Sequence, residues 1–493
     1  MEDQNELVEL NIDNVAHGGV MVARLDGRVV FVSDAIPGER VLARIADDSK
    51  ASFWRADTVE VLTPSPDRRP HVWAAASLER APELRAGGAE FGHIALERQR
   101  SLKSEVLTDA LRRFGGTDRV VEVEPIGADA AVDKAERVPG SHWRTRVRLH
   151  VGPGGRIGPY AARSHTVIEV DDLPLATEAI EAEAREIASA LSLGSGGAAA
   201  VEFVETADGE LRVSLVSDDR SKTGGRDGGR GTRRGAAGRG AAGRDRRGGR
   251  TKGAQAGEAG GARAGASSTW ADDGVDGSAS APRTGVGQAA DAPATIVERV
   301  GDREFRLAEN GFWQVHRDAA RTLSRAVQEQ TRADLFDPRA ANHDLYGGVG
   351  LLAAAIGDRF GPATRITSVE SDATATDHAS ENLAEWIGAR AVTGRVDRYL
   401  ADLERLASAD DRRRLEAATM VIDPPRSGAG KEVVGSLVRL GVAQVVYVAC
   451  DPVAFARDVA LFREGGYELD TVRAYDLFPH THHVETIGVL VKA

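Results

Sequence analysis

Apolar and polar positions alternate along this chain with different periods in different stretches. Residues 7–62 read as a small all-β unit, short β-rich runs with turn signals between them. Residues 21–25 and 28–32 flank Asp26 and Gly27, and an Asp-Gly pair between two β-rich runs is a hairpin signal. Further strands over 40–45 and 58–62, with turn residues Pro37-Gly38 before the first of them, predict a five-stranded OB-like barrel. From 95 to 114 apolar residues recur at helical spacing, with Gly115-Gly116 as the stop. Residues 143–168 return to strand-like alternation.

Beyond Phe312 the pattern becomes a regular succession. Strands are predicted over 343–346, 366–369, 420–422 and 445–448, helices start near Leu351, Ala373 and Lys431, and a last apolar strand covers 486–491. This is the pattern of a doubly wound α/β sheet, which binds ligands at its strand ends. The chain therefore reads as multidomain. A β-barrel covers 1–64, an α/β middle domain covers 65–217 plus 294–310, and a Rossmann-like α/β sheet covers 311–493. The helix over 95–114 is a candidate to pack on that last domain.

Residues 218–293 break the pattern with an arginine-glycine run continued by Ala, Gly and Ser. Such a composition buries too little apolar surface to offset its ordering entropy, which predicts a disordered insertion. It reads first as a tolerated linker and second as a loose RNA contact.

The acidic N-terminus lacks a basic region followed by an apolar run, and no segment suits a bilayer, so a soluble, unexported, cytoplasmic protein is expected. One cysteine excludes a disulfide framework and any cluster held by several thiolates. A net charge of −12 argues against a nonspecific nucleic-acid coat but not against a local basic groove.

Four segments carry candidate chemistry. Asp344 to Gly350 (DLYGGVG) follows one strand and precedes a helix, and Glu370 ends the next strand, where a carboxylate can accept ribose hydroxyls. Asp423-Pro-Pro-Arg426 ends another strand, the prolines stiffening the loop that holds the acid. Cys450, followed by Asp451-Pro452, exits a buried-looking strand. A free cysteine is more often a core hydrophobe than a nucleophile, but this exit points it to the cleft mouth. Finally, His480, His482 and His483 precede Glu485 on an extended segment, too closely spaced to be obvious ligands of one ion, so no metal site is expected.

Together with Phe312 to His316, these ordered motifs resemble the RNA uridine-5 methyltransferases, the family of bacterial tRNA and 23S ribosomal RNA 5-methyluridine enzymes. The barrel is similar to their TRAM domain. The resemblance implies a class I methyltransferase domain over 311–493 and S-adenosylmethionine as cofactor. It implies a cofactor site of Gln314, Tyr346, Gly348, Gly350, Glu370, Asp397 and Asp423, with Cys450 as nucleophile, Glu485 as base and Asp423 beside them in the catalytic group. The expected partner is RNA, ribosomal or transfer, handled by a monomer. The barrel and the middle domain would hold and unstack that RNA, with Arg144, Arg146, Arg148 and Arg163 as candidate phosphate contacts or, equally, solvent-facing strand residues.

The chain departs from the family pattern at several places. Many members hold an iron-sulfur cluster with four cysteines, two of them in a CGGC segment. Here that segment resembles Ala86-Gly-Gly-Ala89, Leu173 stands at the fourth place, and no such cluster can form. Asp451 and His316 stand where members usually have asparagine. Two other readings follow. One is a noncatalytic RNA-binding protein that kept the fold, since the Asp451 carboxylate would disfavour a thiolate. The other is a cytosine-5 methyltransferase acting on RNA, or an enzyme acting on DNA; the Ala-Cys-Asp-Pro setting of Cys450 favours uracil over both.

Overall fold

The computed structural model describes residues 7–127, 138–191, 198–217 and 294–493. The insertion expected over 218–293 lies outside the described residues.

Five strands close the N-terminal barrel: β1 (Leu7–Val15), β2 (Met21–Leu25), β3 (Arg28–Ser33), β4 (Arg40–Asp47) and β5 (Phe53–Thr63). Asp26 and Gly27 both take positive φ, 49° and 81°, the geometry of a hairpin turn matched to strand twist. The last strand is longer than expected because Phe53 to Asp57 pair parallel with β3 while Arg55 to Thr63 pair antiparallel with β4. Leu10, Met21, Val30, Val32, Ala43 and Ala56 fill the barrel, and Phe91, Ile94 and Leu102 extend the same core beyond it.

Next come α1 (Leu96–Arg113) and β6 (Val123–Glu124). The strand-like stretch over 143–168 resolves into β7 (Arg146–Val151) and a short β8 (Ile157–Gly158). With α2 (Glu178–Leu191), β9 (Ala198–Glu205) and β10 (Leu211–Ser217) they build a four-stranded sheet in the order β10-β9-β7-β8. Its core includes Ala86, Ala89 and Leu173, all buried in one apolar cluster with Trp73, Leu149 and Phe203.

The C-terminal part begins with the hairpin β11 (Thr295–Val300) and β12 (Arg303–Ala308). There follow α3 (Ala319–Gln330), β13 (Asn342–Leu345), α4 (Leu351–Phe360), β14 (Ile366–Glu370), α5 (Ala373–Asn382) and β15 (Ala389–Thr393). Then come α6 (Val396–Leu406), α7 (Ala409–Glu416), β16 (Thr419–Ile422), α8 (Gly430–Leu440), β17 (Gln444–Ala449), α9 (Pro452–Glu464), β18 (Tyr467–Tyr475) and β19 (Glu485–Lys492).

Eight strands form one sheet in the order β15-β14-β13-β16-β17-β19-β18-β6. The strands from β15 to β17 run parallel, and β19 enters antiparallel to both β17 and β18. Order reverses between β13 and β16, which opens a crevice at their C-terminal ends. Residues of α3 and α4 pack on one face, and residues of α6, α8 and α9 on the other. Three contributions come from outside 311–493. Leu107, Ala110 and Leu111 of α1 join the second face, and β6 pairs with β18 as the terminal strand. Residues 294–310, grouped on sequence with the middle domain, bury Ile296, Phe305 and Leu307 in the core of α3 and α4, because that hairpin has an apolar face to cover. Among the described residues, no helix is long and apolar enough to cross a membrane.

Candidate active site at the sheet edge

Parallel pairing sends the ends of β13, β14, β16 and β17 to one edge. Leu345 is level with Ile422, and Ile422 with Tyr447, so Tyr346, Asp423 and Cys450 emerge near one another. The Asp423 amide donates to the Leu345 carbonyl at 3.2 Å, tying two of these exits together. Because β19 runs the other way, its start lies at the same edge: Ala449 pairs with Thr486, which sets Glu485 beside Cys450.

The glycine loop leaves β13 under strain and close to protein atoms. Tyr346 has φ 63°, a left-handed conformation that is costly for an aromatic residue. A side chain at Gly347 would collide with Ser368 and with the Asp344 carboxylate, whereas Gly348, at φ 53°, faces open space. Glu370 joins this loop by accepting the Gly348 N–H at 3.1 Å through Oε2. Its Oε1 accepts the Ser371 hydroxyl at 2.9 Å and the Asp372 N–H at 2.9 Å, so the carboxylate is fixed. Behind them Asp344 is fully buried, with Oδ2 accepting the Ala353 N–H at 3.0 Å and Oδ1 without a protein partner. Burial pushes Asp344 up to about 8.

Burial dominates the electrostatics of Asp423 and Glu485 too. Asp423 is pushed up to about 7, and Glu485, 4% exposed, well above the usual carboxylate range, with the Asp423 charge adding to the effect. Cys450 is partly exposed. Burial first, then the charges of Glu485, Asp423 and Asp451, push its thiol up, and Arg426 opposes them. Tyr346 is pushed up to about 12 by burial and by the charge of Asp397. Asp397 itself pairs with Arg395 at 2.9 Å.

Gln314 is the candidate not tied to this group. It is half-buried between β12 and α3, and among the described residues it makes no hydrogen bond to the others. Its segment is held from the middle sheet: the Val315 carbonyl accepts the Thr145 N–H at 2.8 Å, and His316 stacks on Trp143 with ring centres 5.3 Å apart. His316 is held neutral, its pKa lowered to about 3 by burial.

Three of the candidate phosphate contacts have protein partners. Arg146 is not available to phosphate: it is buried against Glu298 and donates to the Gly311 carbonyl at 2.8 Å. Arg148 pairs with Glu202, and Arg163 with Asp57 of the barrel. His480 is engaged by Gln99 and the Pro139 carbonyl, and His482 by Glu90. Among the described residues, no group of three His, Cys, Asp or Glu side chains is arranged to hold a metal.

Sequence reasoning missed Asp458, a buried acid on α9 that accepts the Tyr447 hydroxyl at 2.6 Å and the Ala429 N–H at 2.7 Å, pinning the loop that follows Asp423. An acid among the apolar residues of α9 was its only sequence signal. It also missed His17, which comes from the barrel.

The tRNA (Uracil-5-)-methyltransferase family profile matches residues 299–493. An uncharacterized RNA methyltransferase of Streptomyces avermitilis is 34% identical over 99% of this chain and 99% of its own length. The 23S rRNA (uracil(1939)-C(5))-methyltransferase of Methylococcus capsulatus is 27% identical over 99% of this chain and 97% of its own. Among solved structures, the Pyrococcus abyssi tRNA (uracil-54, C5)-methyltransferase in complex with S-adenosyl-L-homocysteine covers 98% of this chain and 99% of its own, with a TM-score of 0.60 at 19% identity; it supports the fold.

Proposed function

The chain belongs to the RNA uracil-5 methyltransferase family, and from that premise we propose that it methylates carbon 5 of a uridine in ribosomal or transfer RNA through a transient bond between Cys450 and carbon 6 of the base. The observation that supports this most directly is the pairing of Ala449 with Thr486, which sets the lone thiol and a buried acid side by side at the edge where the glycine loop ends.

The donor site is read from the same edge. Open space at Gly348, the fixed carboxylate of Glu370 and the unpartnered Oδ1 of Asp344 fit an adenosine-bearing ligand. S-adenosylmethionine, when bound, supplies the methyl group that carbon 5 takes up. Glu370 would accept the ribose hydroxyls, while Tyr346, Gly350, Asp397, Asp423 and Gln314 would line the site. The residues do not fit the iron-sulfur cluster of many relatives, because Ala86, Ala89 and Leu173 offer only hydrocarbon where thiolates would be needed.

Carbon 5 of uracil is a weak nucleophile. Addition of the Cys450 thiolate to carbon 6 forms the carbon-sulfur bond and moves the ring electrons into an enolate centred on carbon 5. After methylation, Glu485 removes the carbon 5 proton; the electron pair restores the 5,6 double bond and expels the thiolate. The target base must leave its stack to reach this edge, a task assigned to the barrel (1–64) and the middle domain, in the cytoplasm.

The test is incubation of the purified full chain with labelled S-adenosylmethionine and unmodified ribosomal RNA or tRNA, followed by mass spectrometry of the nucleosides. We expect 5-methyluridine at one position, lost in Cys450→Ala while the donor still binds. Methylation that persists in Cys450→Ala sinks the mechanism; RNA binding with no methylation by the parent protein favours the noncatalytic reading, and 5-methylcytidine the cytosine one.

A further inference from the structure

The barrel touches the strand exit that carries Cys450. Its β1–β2 turn, residues 16–20, is closed by the Ala16 N–H donating to the Val20 carbonyl at 2.8 Å. Gly19, at φ 75°, sits so close to His482 that an added Cβ would lie 2.6 Å from that residue's Cβ. Beside it His17 places Nε2 3.2 Å from Oδ2 of Asp451, the residue after Cys450.

Asp451 uses its two oxygens on two different elements. Oδ1 accepts the Val453 and Ala454 N–H groups at 3.0 and 2.8 Å, capping α9, and Oδ2 is left to His17. Burial pushes the Asp451 carboxyl up, but His17 and the two amides outweigh it and hold the group below its ordinary value, so it is ionised at neutral pH. That charge adds to those of Glu485 and Asp423 against the Cys450 thiol, with Arg426 opposing. On the far side of the turn stand His482 and its partner Glu90.

We propose that His17 is a positioning residue for the nucleophile: by engaging Oδ2 of Asp451 from the barrel while the α9 amides hold Oδ1, it fixes the carboxylate that follows Cys450, so that thiolate formation at Cys450 depends on the docked barrel turn. This rests on the reading of Cys450 as the nucleophile, and it makes the N-terminal barrel part of the active site's electrostatics as well as a holder of RNA.

Because Cys450 is the chain's one cysteine, its alkylation by iodoacetamide as a function of pH reports its ionisation without RNA or methyl donor. In the full chain, His17→Ala is expected to move this profile to higher pH by about half to one unit, and Asp451→Asn to move it lower. With Asp451→Asn already present, adding His17→Ala should change little. His17→Gln, which keeps an N–H donor on the turn, should restore most of the parent rate, and methylation kcat should follow the alkylation rate while the donor KM stays fixed. A profile unmoved by His17→Ala, or shifts that simply add in the double variant, overturns the proposal. Absence of methylation by the parent would instead count against the proposed function, with the alkylation profile still deciding the role of His17.

Discussion

Lys103 on α1 and Asp476 after β18 form an ion pair of 2.5 Å in which the two side chains are 0% and 3% exposed. Lys103 also donates to the Phe478 carbonyl at 3.0 Å, fastening α1 to the segment that leads into Glu485. Burial lowers the pKa of Lys103 while Asp476 raises it. Lys103→Met would leave Asp476 charged and buried without its partner, a defect of about 3–5 kcal/mol. Denaturant unfolding should show that loss, and the double variant Lys103→Met with Asp476→Leu should recover most of it. Equal losses in single and double variants would mean the pair is not what holds the segment.

Glu485→Gln should let carbon 5 be methylated but slow proton removal, so that RNA linked to Cys450 accumulates on a denaturing gel. Since burial raises the pKa of Glu485, the fraction able to act as base grows as pH rises above the ordinary carboxylate range. Product release should therefore accelerate with pH in the parent and lose that limb in Glu485→Gln. Fast release by the variant, with no shifted band, removes Glu485 from the role.

Asp344 predicts a pH dependence of stability. Below its ordinary value of 3.8 the group is protonated folded or unfolded; as pH rises, the unfolded chain loses the proton while the folded chain keeps it until about 8. Stability should thus fall across that window, by at most about 1.4 kcal/mol per pH unit for this proton. Asp423, raised to about 7, contributes in the same direction. Asp344→Asn keeps an acceptor for Ala353 and should flatten the decline; an unchanged slope in urea titrations at several pH values would show that Asp344 ionises freely.

Leu173→Asp should destabilise the four-stranded sheet on the order of several kcal/mol, because a carboxylate would enter the cluster shared with Ala86 and Ala89. Calorimetry can read this. A parent-like melting curve would mean that water reaches position 173.

Features encoded by neighbouring residues were legible in the sequence: the Asp26-Gly27 hairpin, the glycine loop after Leu345, and the exits carrying Asp423 and Cys450. Each rests on local conformational preference and strand period. What depended on partners far along the chain was not. Arg146 looked like a surface cation because Glu298, which buries it, belongs to a later hairpin. His17 carried no signal, because its meaning depends on Asp451, the cap of a helix far along the chain. Asp451 itself looked like a handicap for the thiol until its cap of α9 and its barrel partner came into view.

The two-residue strand β6 has an effect beyond its size. Without it β18 would be a sheet edge, a row of open backbone groups able to recruit a strand from another molecule. Its pairing through Ala474 and Tyr475, reinforced by Arg473 with Glu124, closes that row at its end nearest Glu485. The cover is also made early, since ribosomes synthesise β6 and α1 long before the sheet they protect. A fragment cut to the family-matched span, 299–493, would lack both, baring the β18 edge and the apolar patch under Leu107 and Leu111. Such a fragment should self-associate, which size-exclusion chromatography would read as a rise in apparent mass, because α1 and β6 are the parts that cover this edge and patch.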